Sequence, residues 1–429
     1  MSQAQEAVKS PPPAATRLAA AVLVAWALMP VPGPAQQGGA PPREWIEPLT
    51  GHRVVRLSEE AGSASLYFHQ NPFTAAGDKM LISTPSGLAT IDLATRRIQP
   101  LVEGRVGNAV VAPRGRRVFY FKDDTVYATD LDGGATRAIV TRPELRSGSG
   151  LTVNADETLL AGSYVEGAPL PRPTPSASPS VPAPGTPPAQ PPSQESRLEA
   201  RWAQRLPMVL YTLDIRKGDV KPFYKGEGNW LNHVQFSPTD PALLMYCHEG
   251  PWHKVDRIWT IRVDGTGRRL MHARTMDMEI AGHEFWSADG RTIWYDLQTP
   301  KSVEFWLAGV GLGEPPDAQR TRYRVAREQW SVHYNVSRDG ALFAGDGGGP
   351  RSVAAPGNGQ WIYLFRPRGG ALEAERLVDL SRHDYQLEPN VTFTPDGNWI
   401  VFRSNMHGAS HVYAVEVKKA AGSPPPAHE

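Results

Sequence analysis

Trp286-Ser-Ala-Asp-Gly290, Val336-Ser-Arg-Asp-Gly340 and Phe393-Thr-Pro-Asp-Gly397 decide the fold. Each places the end of an apolar strand before a [Ser/Thr]-x-Asp-Gly turn, and a second apolar strand follows. Looser copies stand at Phe73-Thr-Ala-Ala-Gly77, Val111-Ala-Pro-Arg-Gly115, Val153-Asn-Ala-Asp-Glu157 and Phe236-Ser-Pro-Thr-Asp240. The turns end at 77, 115, 157, 240, 290, 340 and 397, seven copies in all. The one long interval, from 157 to 240, holds a Pro-rich insert. Several copies continue into a third strand, such as Ala89-Thr-Ile-Asp-Leu93, Val126-Tyr-Ala-Thr-Asp130, Val209-Leu-Tyr-Thr-Leu-Asp214 and Ile258-Trp-Thr-Ile-Arg-Val-Asp264. Repeats of roughly 40–50 residues with three or four strands each are the signature of propeller blades. The sequence therefore predicts an all-β, seven-bladed β-propeller with repeats of the TolB and WD40 type. The last copy stops at His411-Val-Tyr-Ala-Val-Glu-Val417 without an outer strand. Glu47-Pro-Leu-Thr-Gly-His-Arg-Val-Val-Arg-Leu57 is expected to supply it, so that the N-terminal strand closes the last blade and no edge stays open.

Composition agrees with an all-β chain. The 429 residues include 40 Gly and 41 Pro for turns, with 12 Trp and 13 Tyr suited to strands. Lys and Arg number 45 against 44 Asp and Glu, without the basic excess that nucleic acid attracts. Cys247 is the single cysteine, which excludes an intrachain disulfide and a thiolate-rich metal site. Lys9 and Arg17, the apolar run Leu18 to Met29 and the small residues up to Ala35 have the layout of a secretory signal. The run is too short to span a bilayer, so no stable membrane span is expected after cleavage. The organisation read from these features is a signal peptide over 1–35 and a propeller over 36–419. Within it lies a disordered Pro-rich insert over 167–194, and a disordered tail covers 420–429. The mature chain is expected to be periplasmic or secreted.

The turn spacing also aligns a candidate site. Seven residues before each turn position stand Gln70, Asn108, Gly150, His233, His283, His333 and Asn390. If each turn joins the innermost strand of a blade to the next, these share one height on the central channel. Glu388 lies two residues before Asn390, on the same strand face. Three histidines converging with a carboxylate favour a divalent ion of intermediate hardness, Mn²⁺ before Zn²⁺ or Ca²⁺. The ends of the second strands reach the same mouth and add His248, Glu249, Asp296 and Arg403, the last suited to a substrate carboxylate. A polar water channel and inter-blade salt bridges are the bland alternatives for these groups. No G-x-S-x-G elbow occurs, which argues against a propeller-bearing serine peptidase. Gly347-Gly-Gly349 is not followed by the Lys-Ser/Thr of a phosphate loop.

Asn232-His-Val-Gln-Phe-Ser-Pro238, Cys247-His-Glu-Gly-Pro251, Gly282-His-Glu-Phe-Trp286 and the stretch from Ser331-Val-His-Tyr-Asn335 to Gly345-Asp-Gly347 resemble the oligogalacturonate lyase family. Tyr67-Phe-His-Gln70 resembles its first-blade segment. The resemblance implies a seven-bladed propeller that binds Mn²⁺ in the central channel and splits short oligogalacturonates by β-elimination, giving unsaturated uronate ends. It implies His233 as the base and His283 as a metal ligand, with His333 matching a further family histidine and counted with the metal set; the family's transition-state arginine has no matching position, and Arg205, just after the insert, stands nearest. The family's last-blade ligands, a Gln and a His-Pro-His, fall on Gln386-Leu-Glu-Pro-Asn390, so Glu388 and Asn390 replace both histidines. That harder oxygen set would hold Mn²⁺, with Ca²⁺ or Mg²⁺ as alternatives. His69, Gln70, His248 and Arg403 are the expected substrate contacts, and the expected partner is an acidic oligosaccharide. The rival readings are a lyase for another uronate polymer and a non-catalytic periplasmic propeller that binds a glycan or protein.

Overall fold

The computed structural model describes residues 41–148, 150–167, 193–313, 319–350 and 360–420. The expected signal segment, nearly all of the Pro-rich insert and all of the tail beyond 420 lie outside the described residues.

The chain is all-β, with mostly antiparallel strands. Gly107–Val111, Arg117–Lys122, Thr125–Asp130 and Thr136–Thr141 form one four-stranded sheet in chain order. Further four-stranded sheets run from Thr152 to Lys225 and from Trp230 to Leu270. Lys79–Thr84, Gly87–Asp92 and Ile98–Glu103 make a three-stranded sheet, whose inner side continues through a bridge from Phe73 to Met80. Strands between Ile280 and Asp379 form one eight-stranded sheet, joined in its middle by a single parallel pairing of Arg324 with Ala371. In the last sheet, His52–Arg56 pairs antiparallel with His411–Lys419, and Glu44–Ile46 lies outside it.

The turn motif works through its own side chains. Ser287 Oγ donates to Asp289 Oδ1 at 2.6 Å, and that oxygen also accepts from Arg291 N–H. Ser337 with Asp339 and Thr394 with Asp396 repeat the bond at 2.6 Å. Gly290 sits at φ +68°, the left-handed region that favours glycine, and a Cβ there would stand 2.2 Å from Thr239 Oγ1 of the preceding turn. The side chains thus close a tight turn, and the glycine lets neighbouring turns pack.

Apolar strand faces fill the spaces between sheets. Val110, Phe119 and Val126 pack on Leu160, Tyr211 and Leu213. Leu210 and Leu231 pack in one cluster with Tyr246. Val55, Val401 and Val412 of the last sheet pack on Phe73, Met80 and Ile91 of the first. Because both faces of a sheet are covered, central strands such as Met208–Asp214 are almost continuously buried. Among the described residues no helix is long and apolar enough to cross a membrane.

Candidate active site

The aligned slot has a structural cause. Asn108, His233, His283 and Asn390 have φ of +45° to +54°, and Gly150 has +75°. Strand register slips at the first three, between Gly107 and Val110, Asn232 and Gln235, and Gly282 and Phe285. Each is a bulge, which breaks the two-residue alternation and re-aims a side chain. A left-handed non-glycine residue costs on the order of 1 kcal/mol, and such strain gathers at functional sites.

Bulges and strand ends open onto a cavity of about 1090 Å³. His233, His283, Asp296, Glu249, Arg257, Tyr67, Gln386 and Glu388 line it. His283 Nδ1 lies 2.8 Å from Asp296 Oδ1. The approach depends on Gly282, where a Cβ would stand 3.1 Å from that same oxygen. Burial would push the His283 imidazole down, but the charge and hydrogen bond of Asp296 leave it raised above the ordinary histidine value. His333 is built alike, its Nδ1 2.8 Å from Asp346 Oδ2 and its backbone N–H donating to Asp346 Oδ1. The two imidazoles are neighbours, their ring centroids 4.6 Å apart. With Nδ1 engaged, each has Nε2 as the remaining nitrogen. His333 Nε2 is 3.7 Å from Glu388 Oε2 and 3.4 Å from the Tyr67 hydroxyl.

His233 belongs to a different cluster. Its Nδ1 lies 3.2 Å from Glu284 Oε1 and 3.3 Å from the Arg257 guanidinium. Arg257 Nε donates to Glu284 Oε2 at 2.9 Å. Burial would raise the Glu284 carboxyl, but Arg257 and His233 hold it well below the carboxylate range. Burial likewise works against the Arg257 charge, and Glu284 more than restores it. His233, Cys247 and Glu284 bring ligand atoms within 4.8 Å of one another. That space already holds the Arg257 cation, and burial pushes the Cys247 thiol well up, so the trio suits a guanidinium better than a metal.

Around His333 stand donors of the kinds that a divalent cation takes, an imidazole nitrogen and a carboxylate oxygen. The imidazole is buried with Nδ1 fixed by Asp346, Glu388 Oε2 lies 3.7 Å from Nε2, His283 is adjacent, and Gln386 lines the same cavity as Glu388. A carboxylate behind a ligand histidine is the usual means of orienting it.

Several expected contacts lie elsewhere. Asn390 is buried with its amide consumed, since Oδ1 accepts from Phe68 N–H at 3.1 Å and Nδ2 donates to the Glu388 carbonyl at 3.0 Å. It shapes the Glu388 loop and offers a cation little. Arg403 does related work, donating to the Glu388 carbonyl at 2.7 Å and towards Ser65 O. Arg205 is exposed, stacked over Trp202 and bonded to Glu227 O, away from the cavity lining. His248 is buried between Tyr246 and Trp259, on a separate small cavity with His272 and Glu279, and burial pushes it down to about 4. Gln70 caps its own turn by accepting from Tyr67 N–H. His69 wedges beside Tyr67 and His233, and burial pushes it down to about 3.

The strand alternation gave no sign of Asp346, Glu284, Arg257 or Tyr67. The ends of the second strands reach Asp296, and Asp346 could be found by asking which second-strand residue faces His333. Glu284 escapes because the bulge at His283 turns two successive side chains inward. Arg257 has no local signal, because it precedes its strand and tertiary packing alone delivers it.

These features define an all-β, propeller-like protein with a polar cavity lined by carboxylate-backed histidines and a buried arginine. The family model described as oligogalacturonate lyase matches residues 204–421, and the chain belongs to that family. It is 24% identical over 392 residues to the oligogalacturonide lyase of Pectobacterium atrosepticum, covering 86% of this chain and 94% of the relative. It is 25% identical over 391 residues to the oligogalacturonate lyase of Dickeya dadantii, with the same coverage. A solved oligogalacturonate lyase in complex with manganese superposes with a TM-score of 0.71 at 23% identity, covering 88% of this chain and 96% of that one. The chain is accordingly a lyase.

Proposed function

We propose that this protein cleaves short oligogalacturonates by β-elimination in the cavity where His283, His333 and Arg257 converge. The observation that carries the reading is the His283–Asp296 pair, a carboxylate-fixed imidazole whose second nitrogen has no partner among the described residues, on a cavity of oligosaccharide size. The C5 hydrogen of a uronate is acidified by the adjacent carboxylate. The neutral form of His283, made more basic by Asp296, takes that proton at Nε2 as a general base. The C5–H electron pair becomes the C4–C5 double bond, the C4–O bond breaks, and the departing oxygen takes up a proton. The Arg257 guanidinium, held by Glu284, faces the negative charge that develops on the uronate.

His283 suits the base role better than His233. Its side chain is 28% exposed against 13%, and its Nδ1 meets a carboxylate alone. His233 Nδ1 faces a donor and an acceptor at nearly equal distance, which leaves its tautomer unfixed. His333, Glu388 and Gln386 would hold Mn²⁺, or Ca²⁺ or Mg²⁺. Bound there, a divalent cation would neutralise the uronate carboxylate and increase the acidity of C5–H.

The fold that presents these groups is read as seven blades, with the eight-stranded sheet counted as two and the strand His52–Arg56 as the closing one. The N-terminal layout supports export, so the enzyme would degrade pectin fragments in the periplasm or outside the cell. The mature chain would begin near Gln36, which N-terminal sequencing of the exported protein checks.

The functional test is ultraviolet absorbance of the unsaturated product from digalacturonate and trigalacturonate with added Mn²⁺. Turnover is expected in wild type. Inactivity on galacturonates with activity on another uronate would move the substrate. Inactivity on all of them, with the glycans still bound, would leave a binding module.

A further inference from the structure

The helix Gln194–Ala203 forms one wall of the cavity, through Gln194, Glu195, Arg197 and Leu198. It precedes the span matched by the family model. Leu198 is buried in a small apolar cluster with Trp252 and Ile280. Three of the four charged side chains on the helix are tied to neighbours. Glu195 meets Lys301 at 3.3 Å, Glu199 meets Lys254 at 2.7 Å and His253 at 3.3 Å, and Arg201 meets Glu249 at 2.6 Å. Trp230 Nε1 donates to Arg201 O at 2.7 Å. The helix is therefore held in place by contacts from several strands and loops.

Arg197 is the fourth. Its side chain is exposed on the cavity and has no ionic or hydrogen-bond partner among the described residues. The other cations on the lining are committed, Arg257 to Glu284 and Lys301 to Glu195. The N-terminal turn of the helix is not a competing anion site, because Ser193 Oγ already accepts from Ser196 N–H.

We propose that Arg197 is a specificity-determining residue that binds the carboxylate of a sugar one or more positions from the bond being cleaved. This rests on the lyase reading above and deepens it. A rigidly based arginine with a free planar fork is matched to a carboxylate. Uronate oligomers carry one such group on every sugar, whereas neutral glycans carry none. The docked helix would thus make the enzyme discriminate acidic from esterified chains beyond the reacting sugar.

The test compares wild type, Arg197→Ala and Arg197→Lys on trigalacturonate and on its methyl ester. Arg197→Ala should raise KM for trigalacturonate about tenfold, the loss of one charge-assisted contact, with kcat changed less than about twofold. Arg197→Lys should recover part of the loss, and KM for the ester should not move. Unchanged KM for the acid, or an equal change for acid and ester, overturns the proposal. If wild type shows no turnover, the lyase reading fails separately, and calorimetry of trigalacturonate binding then decides. Binding weakened about tenfold in Arg197→Ala supports the assignment on the same contact energy, whereas equal binding, or none to wild type, overturns it.

Discussion

His272–Glu279 and His283–Asp296 lie close together in the chain and contain the same chemistry, yet they do different things. His272 is buried with both nitrogens used, Nε2 on Glu279 Oε1 at 2.9 Å and Nδ1 on the Tyr295 hydroxyl at 2.9 Å. The second oxygen of Glu279 accepts from Thr275 N–H and Oγ–H. Every polar atom of that histidine–carboxylate pair has a partner, so it holds structure and has nothing left to offer a ligand. His283 has one nitrogen on Asp296, and the other, on the cavity wall, has no partner among the described residues. What separates a site from a strut is the second nitrogen, and the bulge at His283 is what frees it.

The largest expected effect breaks the functional member. His283→Ala should lower kcat by about 10³-fold, within the range for loss of a general base, while bound manganese stays near wild type. Steady-state kinetics with metal analysis check this. His233→Ala is the sharper control and should lower kcat at most about tenfold. The reverse order would transfer the base role to His233 and its Glu284–Arg257 cluster.

The structural member should behave in the opposite way. His272→Ala leaves the Glu279 carboxylate buried without its imidazole, and should cost roughly 3 kcal/mol by denaturant unfolding, the scale for breaking a buried pair. Its kcat should match wild type. A loss of activity without a loss of stability would erase the contrast.

Acid should also distinguish the struts. Burial would raise the Glu279 carboxyl, but bonds from His272 and Thr275 hold it down at about 2, against an ordinary value of 4.5. A depressed carboxylate gives stability that is present above 4.5 and lost as the pH falls towards 2. Glu279→Gln should therefore flatten the decline of stability over that window, measured by thermal melts between pH 5 and 2. The smallest effect is expected from Tyr295→Phe, which removes one hydrogen bond and should cost about 1 kcal/mol, with no change in kcat.

The contrast also shows how much the sequence could say. The [Ser/Thr]-x-Asp-Gly turns were legible because their side chains close the turn locally, and counting back from them reached His233, His283 and His333. Counting reached Asn390 as well, but position on a strand does not reveal that both ends of its amide are spent on Phe68 N–H and the Glu388 carbonyl. Arg205 follows the insert in the chain but is exposed and bonded to Glu227 O, whereas the buried guanidinium at the cavity is Arg257, brought there by tertiary packing against Glu284. His248 and His272 show the general limit. A histidine's type and spacing are written in the chain, but whether its second nitrogen is free depends on partners that only the fold supplies.

The account stands or falls on elimination at this cavity, and product analysis of trigalacturonate cleaved in heavy-oxygen water tests it most directly. Elimination adds no water across the broken bond, so wild type with manganese should release an unsaturated uronate without the heavy isotope, and His283→Ala should release almost none. Saturated fragments carrying one heavy oxygen per cleavage, or undiminished cleavage by His283→Ala, would contradict it.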